Sequence, residues 1–124
     1  LGEINYGAWQ GQTYETLVKD PGWRRFSDYR SGTRPPEGEL MLETQARMMR
    51  SLYQIAADNP GGKIAVVSHG DAIRTAVMHV LGVPLDFHAR IEIQPASLTI
   101  LELSADRCSV RSLNFRQRLV YYID

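Results

Sequence analysis

The segment KIAVVSHGDAIRTAV, residues 63–77, limits the possible folds of this chain more than any other segment. Residues 64–68 are a continuous apolar, β-branched run, which predicts a strand buried on both faces, as in a parallel sheet. Residues 72–81 then carry apolar side chains at helical spacing, and Gly82 and Pro84 are predicted to end this helix. A buried strand that leads directly into a helix indicates an α/β protein.

Two helices are predicted upstream of this segment. Thr13 can cap a short helix near residues 14–19, which Pro21-Gly22 is expected to stop. Residues 30–39 lack periodicity and contain two consecutive prolines, so they are predicted to form a loop. A longer helix is predicted over residues 41–57, with an apolar stripe formed by Leu42, Ala46, Met49, Tyr53 and Ala56 and widened by Met48, Leu52 and Ile55.

Two strands are predicted near the end of the chain, over residues 98–103 and 109–113, around a turn at Asp106-Arg107. Together with the helices, they favour a layered α/β sandwich. The chain has 124 residues, and we expect a single domain over residues 1–124.

Charge balance and apolar run lengths argue against several classes of partner. Fourteen basic residues balance fourteen acidic ones, so we expect no nucleic-acid partner and no binding to a membrane surface. The apolar runs are too short to span a bilayer and no signal peptide is apparent, which favours a cytoplasmic setting. The single cysteine, Cys108, is expected to be structural. Residue 1 is Leu rather than Met, so we expect a processed or truncated piece of a longer protein.

The corner at His69 and Gly70 is the first candidate functional site. A helix start offers unpaired backbone N–H groups and a partial positive charge, and Gly70 lets this backbone approach a ligand closely. His69 adds a donor that can carry charge near neutral pH, so the pattern favours a bound phosphate. A buried histidine that bonds a neighbouring carbonyl, with Gly70 serving only the turn, fits the same pattern. His79, within the helix, and His88, in a predicted loop, are expected to be non-functional.

Glu3, in the segment LGEINYGAWQG, is the second candidate. A carboxylate among aromatic and aliphatic groups suits a general acid that protonates a leaving alcohol. Acidic residues in terminal loops are also commonly just solvated, and this alternative stays open from the residues alone.

Three motifs together resemble those of the histidine phosphatase superfamily, which includes phosphoglycerate mutases, fructose-bisphosphatases and α-ribazole phosphatases. They are LGEINYGAWQGQTYETL (1–17), PPEGELMLET (35–44) and VVSHGDAIR (66–74), in that order. Residues 90–103 and 110–114 are similar to the family's last strands. The resemblance implies a three-layer α/β/α sandwich with a mostly parallel, phosphoglycerate mutase-like sheet, incomplete at its N-terminus.

The resemblance also implies roles for individual residues. His69 matches the second active-site histidine, which binds the transferred phosphoryl group together with Gly70, and Glu3 matches the usual proton donor and acceptor. Gly7, Trp9 and Gly11 match structural positions. Glu39 falls where the family often has a P-G-G-E-S loop, but the sequence here is P-E-G-E-L. We therefore expect Glu39 to lie in a solvated surface loop.

The family's defining R-H-G segment, whose histidine becomes phosphorylated, has no counterpart in the sequence. The resemblance thus implies a phosphomonoesterase, favoured over a mutase because the chain has few insertions, whose nucleophile lies upstream and whose substrate is a small phosphorylated molecule. No metal or cofactor is needed in that scheme, and the isolated chain is expected to be inactive. A non-catalytic anion-binding or interaction module that keeps the fold is the alternative.

The missing strand would be central in the family's sheet, so its absence is expected to expose unpaired edges and apolar surface. Either the upstream residues are present as another chain, or the chain pairs with itself as a homo-oligomer, or the sequence omits part of the molecule. Substrate choice in the family depends on variable loops, here residues 20–38 and 84–90. The candidate side chains in these loops are Trp23, Arg24, Arg25 and Arg34.

Overall fold

A computed structural model describes residues 1–116 as four α-helices followed by a β-hairpin. The helices are α1 (Tyr14–Leu17), α2 (Pro21–Asp28), α3 (Met41–Asp58) and α4 (Gly70–Leu81). Strands β1 (Leu98–Leu103) and β2 (Cys108–Phe115) pair antiparallel. Short 3-10 helices cover Gly7–Trp9 and Leu85–Arg90. The predicted single domain extends beyond the described residues, so its last part stays a prediction.

Helix α1 confirms the predicted short helix, and the Thr13 side chain accepts a hydrogen bond from the Thr16 N–H at its start. Helix α2 was missed, because Pro21-Gly22 was interpreted only as a stop signal. Asp20 caps α2 by accepting the Gly22 N–H at 2.7 Å, and Pro21 occupies its first turn, where the missing N–H has no intrahelical acceptor to lose. An acid followed by proline was therefore a readable start signal.

Helix α3 confirms the predicted helix and part of its apolar stripe. The buried side chains are Met41, Thr44, Met48 and Met49, so Met48 and Met49 of the predicted stripe are buried, whereas Leu42 and Tyr53 are exposed. Helix α3 packs against α4, and Gln45 donates across this interface to the Thr75 carbonyl at 2.9 Å. The face that meets α4 decides which side chains are buried, and apolar periodicity alone does not identify that face.

Residues 64–68 do not form the predicted buried strand. The segment is not part of a β-ladder within residues 1–116, and Val67 is 93% exposed. Strand structure needs a neighbour for its backbone groups, and within residues 1–116 the strands β1 and β2 pair with each other and not with this segment. The two-stranded antiparallel hairpin does not confirm a mostly parallel three-layer sandwich.

The core lies between the N-terminal loop, α2 and α4. Trp9, Trp23 and Phe26 pack with ring centroids 5.3 to 6.0 Å apart, and Tyr6 joins them at 6.0 Å from Phe26. Trp23, predicted as a substrate-loop residue, is thus a packing residue. Val77 and Met78 of α4 complete the same buried cluster. This packing fixes the start of α4 against the N-terminal loop.

Residues 35–39 form a close-fitting surface for the N-terminal loop. Ala8 donates its N–H to the Pro36 carbonyl at 2.8 Å, and Glu39 donates its N–H to the Asn5 carbonyl at 2.8 Å. Gly7 has φ +55°, and a Cβ there would overlap the Pro36 carbonyl oxygen. The glycine of the L-x-E-x-x-x-G motif therefore lets two loops touch through their backbones.

Replacing Gly7 with alanine is expected to lower the free energy of unfolding by about 3 kcal/mol, from left-handed strain and the overlap with Pro36 together. Gly11 is the matched control, because its φ is +76° but no heavy atom lies within 4 Å of the position that an added methyl group would take. Gly11→Ala should cost only about 1 kcal/mol. Urea unfolding of both variants measures the difference, and equal losses would contradict the fit between the loops.

Candidate active site

Helix α4 begins directly after His69, as the sequence predicts. His69 is the N-cap, with extended backbone angles (φ −119°, ψ 164°), and its side chain is exposed. Its carbonyl accepts the Ile73 N–H at 2.9 Å, which closes the first turn of the helix. Within residues 1–116, no acceptor is present for the Gly70 N–H. An exposed donor side chain and a backbone donor without an acceptor among the described residues are therefore adjacent at the helix start.

Glu3 lies at the same helix start. Its Oε1 accepts the Ala72 N–H at 3.0 Å and the Ile4 N–H at 3.0 Å, and its Oε2 accepts the Asp71 N–H at 3.4 Å. A carboxylate at this position is favoured by the partial positive charge of the helix N-terminus. The structure thus brings Glu3 and His69, 66 positions apart in sequence, to one corner, and Glu3 is not a freely solvated loop residue.

Glu39 corrects the expectation of a solvated loop side chain. Its carboxylate pairs with Arg47 of α3, with Oε1 at 2.7 Å from Nε and Oε2 at 3.0 Å from Nη2. Burial opposes ionisation of Glu39, but hydrogen bonds from Arg47, Asn5 and Thr44 outweigh it and hold its pKa below the usual value. The Glu39 side chain therefore has a structural role beside the site, through its ion pair with Arg47.

A buried polar cluster surrounds Asp71, in the first turn of α4. Its Oδ2 accepts hydrogen bonds from the Tyr6 hydroxyl and from Arg30 at 3.2 Å, and its Oδ1 accepts from Arg74 at 2.6 Å. The Arg30 guanidinium also lies 4.2 Å from the centroid of the Phe26 ring. Burial, and then the charge of Asp71, raise the pKa of Tyr6, so this phenol stays protonated.

The four members of the Asp71 cluster were missed by sequence reasoning. The spacing of Asp71 and Arg74 at i and i+3 was a readable local signal for an ion pair. Tyr6 and Arg30 come from distant segments and carried no such signal. The cluster joins the N-terminal loop, the segment after α2 and the start of α4.

His88 lies buried in the 3-10 helix Leu85–Arg90, rather than in the predicted loop. Burial, and then the nearby charge of Arg30, lower the pKa of His88 to about 4, with Arg74 acting in the same direction. Asp71 and Asp86 only partly oppose this shift. His88 is therefore neutral at physiological pH. His79, by contrast, is exposed on α4.

The lowered pKa of His88 predicts how the stability of the folded chain depends on pH. The unfolded chain takes up a proton on His88 below its ordinary pKa of 6.5, whereas the folded chain does so only near pH 4. Stability contributed by neutral His88 is therefore complete above pH 6.5 and is lost as the pH falls towards about 4. Solvent screening reduces the expected loss to roughly 1–2 kcal/mol.

His88→Gln should remove this component of the pH slope, which urea unfolding at pH 7 and pH 4.5 measures. His79→Gln is the control and should keep the wild-type slope, because His79 is exposed. Identical slopes in His88→Gln and the wild type would contradict the buried, neutral state of His88.

A shallow surface depression of about 460 Å³ lies where α1 meets α2, and Arg24 and Arg25 are among its lining residues. Neither Glu3 nor His69 lines it, so this depression is not the corner described above. Arg34 is paired with Glu43 through two 2.7 Å hydrogen bonds, which fixes it as a structural side chain. Among the predicted substrate-loop residues, Arg24 and Arg25 line this depression.

The described residues contain no group of three or more His, Cys, Asp and Glu side chains that could hold a metal ion. No helix within residues 1–116 is long and apolar enough to cross a membrane.

The family model of the histidine phosphatase superfamily (branch 1) matches residues 1–116. The Mycobacterium tuberculosis protein named Bifunctional protein Rv2228c is 32% identical over 116 residues, covering 92% of this chain and 32% of the relative. The Yersinia pestis protein named Probable phosphoglycerate mutase GpmB is 31% identical over 101 residues, covering 80% of this chain and 47% of the relative. The chain thus spans less than half the length of these curated relatives.

Solved structures agree with the family match. The Bacillus stearothermophilus protein YhfR superposes with a TM-score of 0.81 at 25% identity, covering 88% of this chain and 55% of its own. A mycobacterial glucosyl-3-phosphoglycerate phosphatase in complex with VO3 gives 0.76 at 25% identity, covering 92% and 61%. A phosphoserine phosphatase from Entamoeba histolytica, in complex with 3-phosphoglyceric acid, gives 0.79 at 22% identity, covering 93% and 59%, and supports the fold alone. The α/β class predicted from the sequence is confirmed.

Proposed function

We propose that this chain, which belongs to the histidine phosphatase superfamily, is part of a phosphoryl-transfer enzyme that acts on a phosphate monoester through a phosphohistidine. The observation that carries the proposal is the meeting of the Glu3 carboxylate and His69 at the start of α4. The whole protein's reaction and substrate belong to this proposal, because the chain spans only part of its relatives.

In the proposed reaction, a histidine upstream of this chain attacks phosphorus and the bond to the leaving oxygen breaks. Glu3 gives its proton to that oxygen, so that an alcohol departs. Water then attacks the phosphohistidine, the nitrogen–phosphorus bond breaks, and Glu3 takes up the proton from the water. His69 and the Gly70 N–H donate hydrogen bonds to the phosphoryl oxygens, whose charge is spread in the transition state.

The hydrogen-bond donors at the start of α4 fall into two groups, those bonded to Glu3 and those left for a ligand. Glu3 accepts the N–H groups of Asp71 and Ala72, whereas the Gly70 N–H has no acceptor within residues 1–116 and the His69 side chain is exposed. A phosphoryl group bound to Gly70 and His69 would therefore lie next to the Glu3 carboxyl group, which in its protonated form protonates the leaving group. Such adjacency is what general acid catalysis requires.

We propose that the enzyme hydrolyses a small phosphorylated substrate, rather than transferring the phosphoryl group as a mutase does. The mycobacterial neighbour of 25% identity is named as a glucosyl-3-phosphoglycerate phosphatase. Glucosyl-3-phosphoglycerate is a phosphate monoester, and this supports the same substrate class for the present chain.

The proposed architecture of the whole protein is the three-layer α/β/α sandwich. An upstream strand pairing along residues 64–68 would cover Val67 and supply the ladder that this segment lacks. Without such a strand, we expect the isolated chain to self-associate through the same segment. A sedimentation measurement that gives a clean monomer would contradict that expectation.

Activity assays on two preparations test the proposed function. The 124-residue chain, confirmed by intact mass, is expected to release no phosphate from p-nitrophenyl phosphate above the rate of a His69→Ala control. A gene product extended upstream through a strand ending in R-H-G is expected to hydrolyse it. Turnover by the 124-residue chain would contradict the assignment of the nucleophile, and an upstream sequence without R-H-G would favour the non-catalytic anion-binding module.

A further inference from the structure

We propose that Arg47, held in place by Glu39, is a positioning residue for Glu3. Arg47 lies on α3 and donates from Nη1 to the Gly2 carbonyl at 2.8 Å and from Nη2 to the Glu3 carbonyl at 2.9 Å. The inference rests on the proposed role of Glu3 as the proton donor, but the contacts exist independently of any reaction.

Glu39 fixes the direction of the Arg47 guanidinium. Its two carboxylate oxygens accept from Nε and Nη2, so the planar fork can turn only one edge towards residues 2 and 3. Glu39 also bonds the same segment directly, because its N–H donates to the Asn5 carbonyl and its Oε2 accepts the Asn5 N–H. Three main-chain groups of residues 2–5 thus bond to the side chains of this ion pair, and a fourth bonds to the Glu39 main chain.

This main-chain clamp has a consequence for the Glu3 side chain. Ile4 is buried in the core, so the segment is anchored on that side, and Arg47 holds the carbonyl on the other. With its backbone fixed on both sides, the Glu3 carboxylate has few rotamers that reach the start of α4. Proton transfer depends on placement within about 0.5 Å, which a mobile loop does not provide.

The ion pair is poorly suited to stabilising the whole fold. The Arg47 and Glu39 side chains are 33% and 16% exposed, so the pair is partly open to solvent, which weakens its contribution to the stability of the whole fold. Its loss is therefore expected to move Glu3 without unfolding the chain. Arg34 and Glu43 provide a matched control, because they form a two-bond pair from the same loop to the same helix but contact neither Gly2 nor Glu3.

The Ala72 amide reports the position of Glu3, because its N–H is at the start of α4 and donates to Oε1 of Glu3. Its hydrogen-exchange rate in the 124-residue chain is measured by NMR for the wild type, Arg47→Gln, Arg34→Gln, Glu3→Ala and the Arg47→Gln/Glu3→Ala double variant. We expect about tenfold faster exchange in Arg47→Gln and in Glu3→Ala, no further increase in the double variant, and less than about twofold change in Arg34→Gln. Arg47→Lys should give an intermediate rate, because an ammonium can reach one carbonyl but cannot keep the fork.

Exchange within about twofold of wild type in Arg47→Gln, or additive effects in the double variant, would overturn the proposal. Faster exchange along α3 in Arg47→Gln would mean that the chain has opened globally. The Ala72 exchange rate in Glu39→Gln, judged by the same limits, then decides. The readout uses no phosphate. A chain in which Arg47 controls Ala72 but phosphate fails to bind would therefore contradict the proposed function and leave the positioning role standing.

Discussion

Replacing Asp71 with asparagine is expected to lower the free energy of unfolding by about 3–5 kcal/mol. Asp71 is the carboxylate between Arg30 and Arg74, and the Arg30 and Asp71 side chains are only 9% and 13% exposed. An amide in its place leaves two guanidinium groups facing each other without a counter-charge and largely out of water. Removing one partner of a buried ion pair costs far more than the pair contributes by itself.

Urea unfolding at neutral pH measures this loss, with Asp106→Asn as the control. Asp106 lies exposed in the turn between β1 and β2, so its substitution should change stability by less than about 0.5 kcal/mol. Adding Arg74→Gln to Asp71→Asn should recover part of the loss, because it removes one of the two uncompensated charges. A loss below about 1 kcal/mol for Asp71→Asn would show that the cluster is solvated rather than buried.

The second large effect concerns Glu3 in an enzyme that contains this chain together with the phosphorylated histidine. Glu3→Gln is expected to lower kcat/KM, which reports the steps up to formation of the phosphohistidine, by about 10²–10⁴ for an alkyl phosphate, because the alcohol must leave without a proton donor. For p-nitrophenyl phosphate the loss should be much smaller, since p-nitrophenolate departs readily without protonation. The ratio of the two losses therefore separates proton donation from a general disturbance of the site.

Steady-state kinetics on both substrates measures that ratio, and Glu15→Gln is the matched control. Glu15 is an exposed acid in the first turn of α1, so its neutralisation should leave kcat/KM unchanged on either substrate. Equal losses on the two substrates in Glu3→Gln would assign Glu3 a structural role as the cap of α4. No loss on either would remove it from the active site.

Local signals predicted the elements that their own residues determine. Thr13 marked the start of α1, the apolar spacing of residues 41–57 marked α3, and the turn at residues 106–107 separated β1 from β2. The Asp20-Pro21 start of α2 was equally local, and was missed because proline was interpreted as a stop alone. In each of these cases the signal lies within the element itself or in the residues directly beside it.

Features that depend on a distant partner were not accessible in the same way. The contact of Glu3 with the Ala72 N–H joins residues 69 positions apart, and no local pattern specifies it. The motif resemblance placed Glu3 and His69 in one site but did not predict that Glu3 caps α4. Residues 64–68 show that a local pattern can also predict an element that does not form. An apolar β-branched run becomes a strand only where another strand pairs with it.

The central claim is that the corner at His69 and Gly70 binds the phosphoryl group of a phosphate monoester. A titration of the ¹⁵N-labelled 124-residue chain with inorganic phosphate, followed by NMR, tests it most directly. We predict saturable shifts of the Gly70 amide and the His69 ring nitrogens, with loss of the Gly70 shift in His69→Ala but not in His79→Ala. Shifts that avoid Gly70, or that persist unchanged in His69→Ala, would contradict the claim.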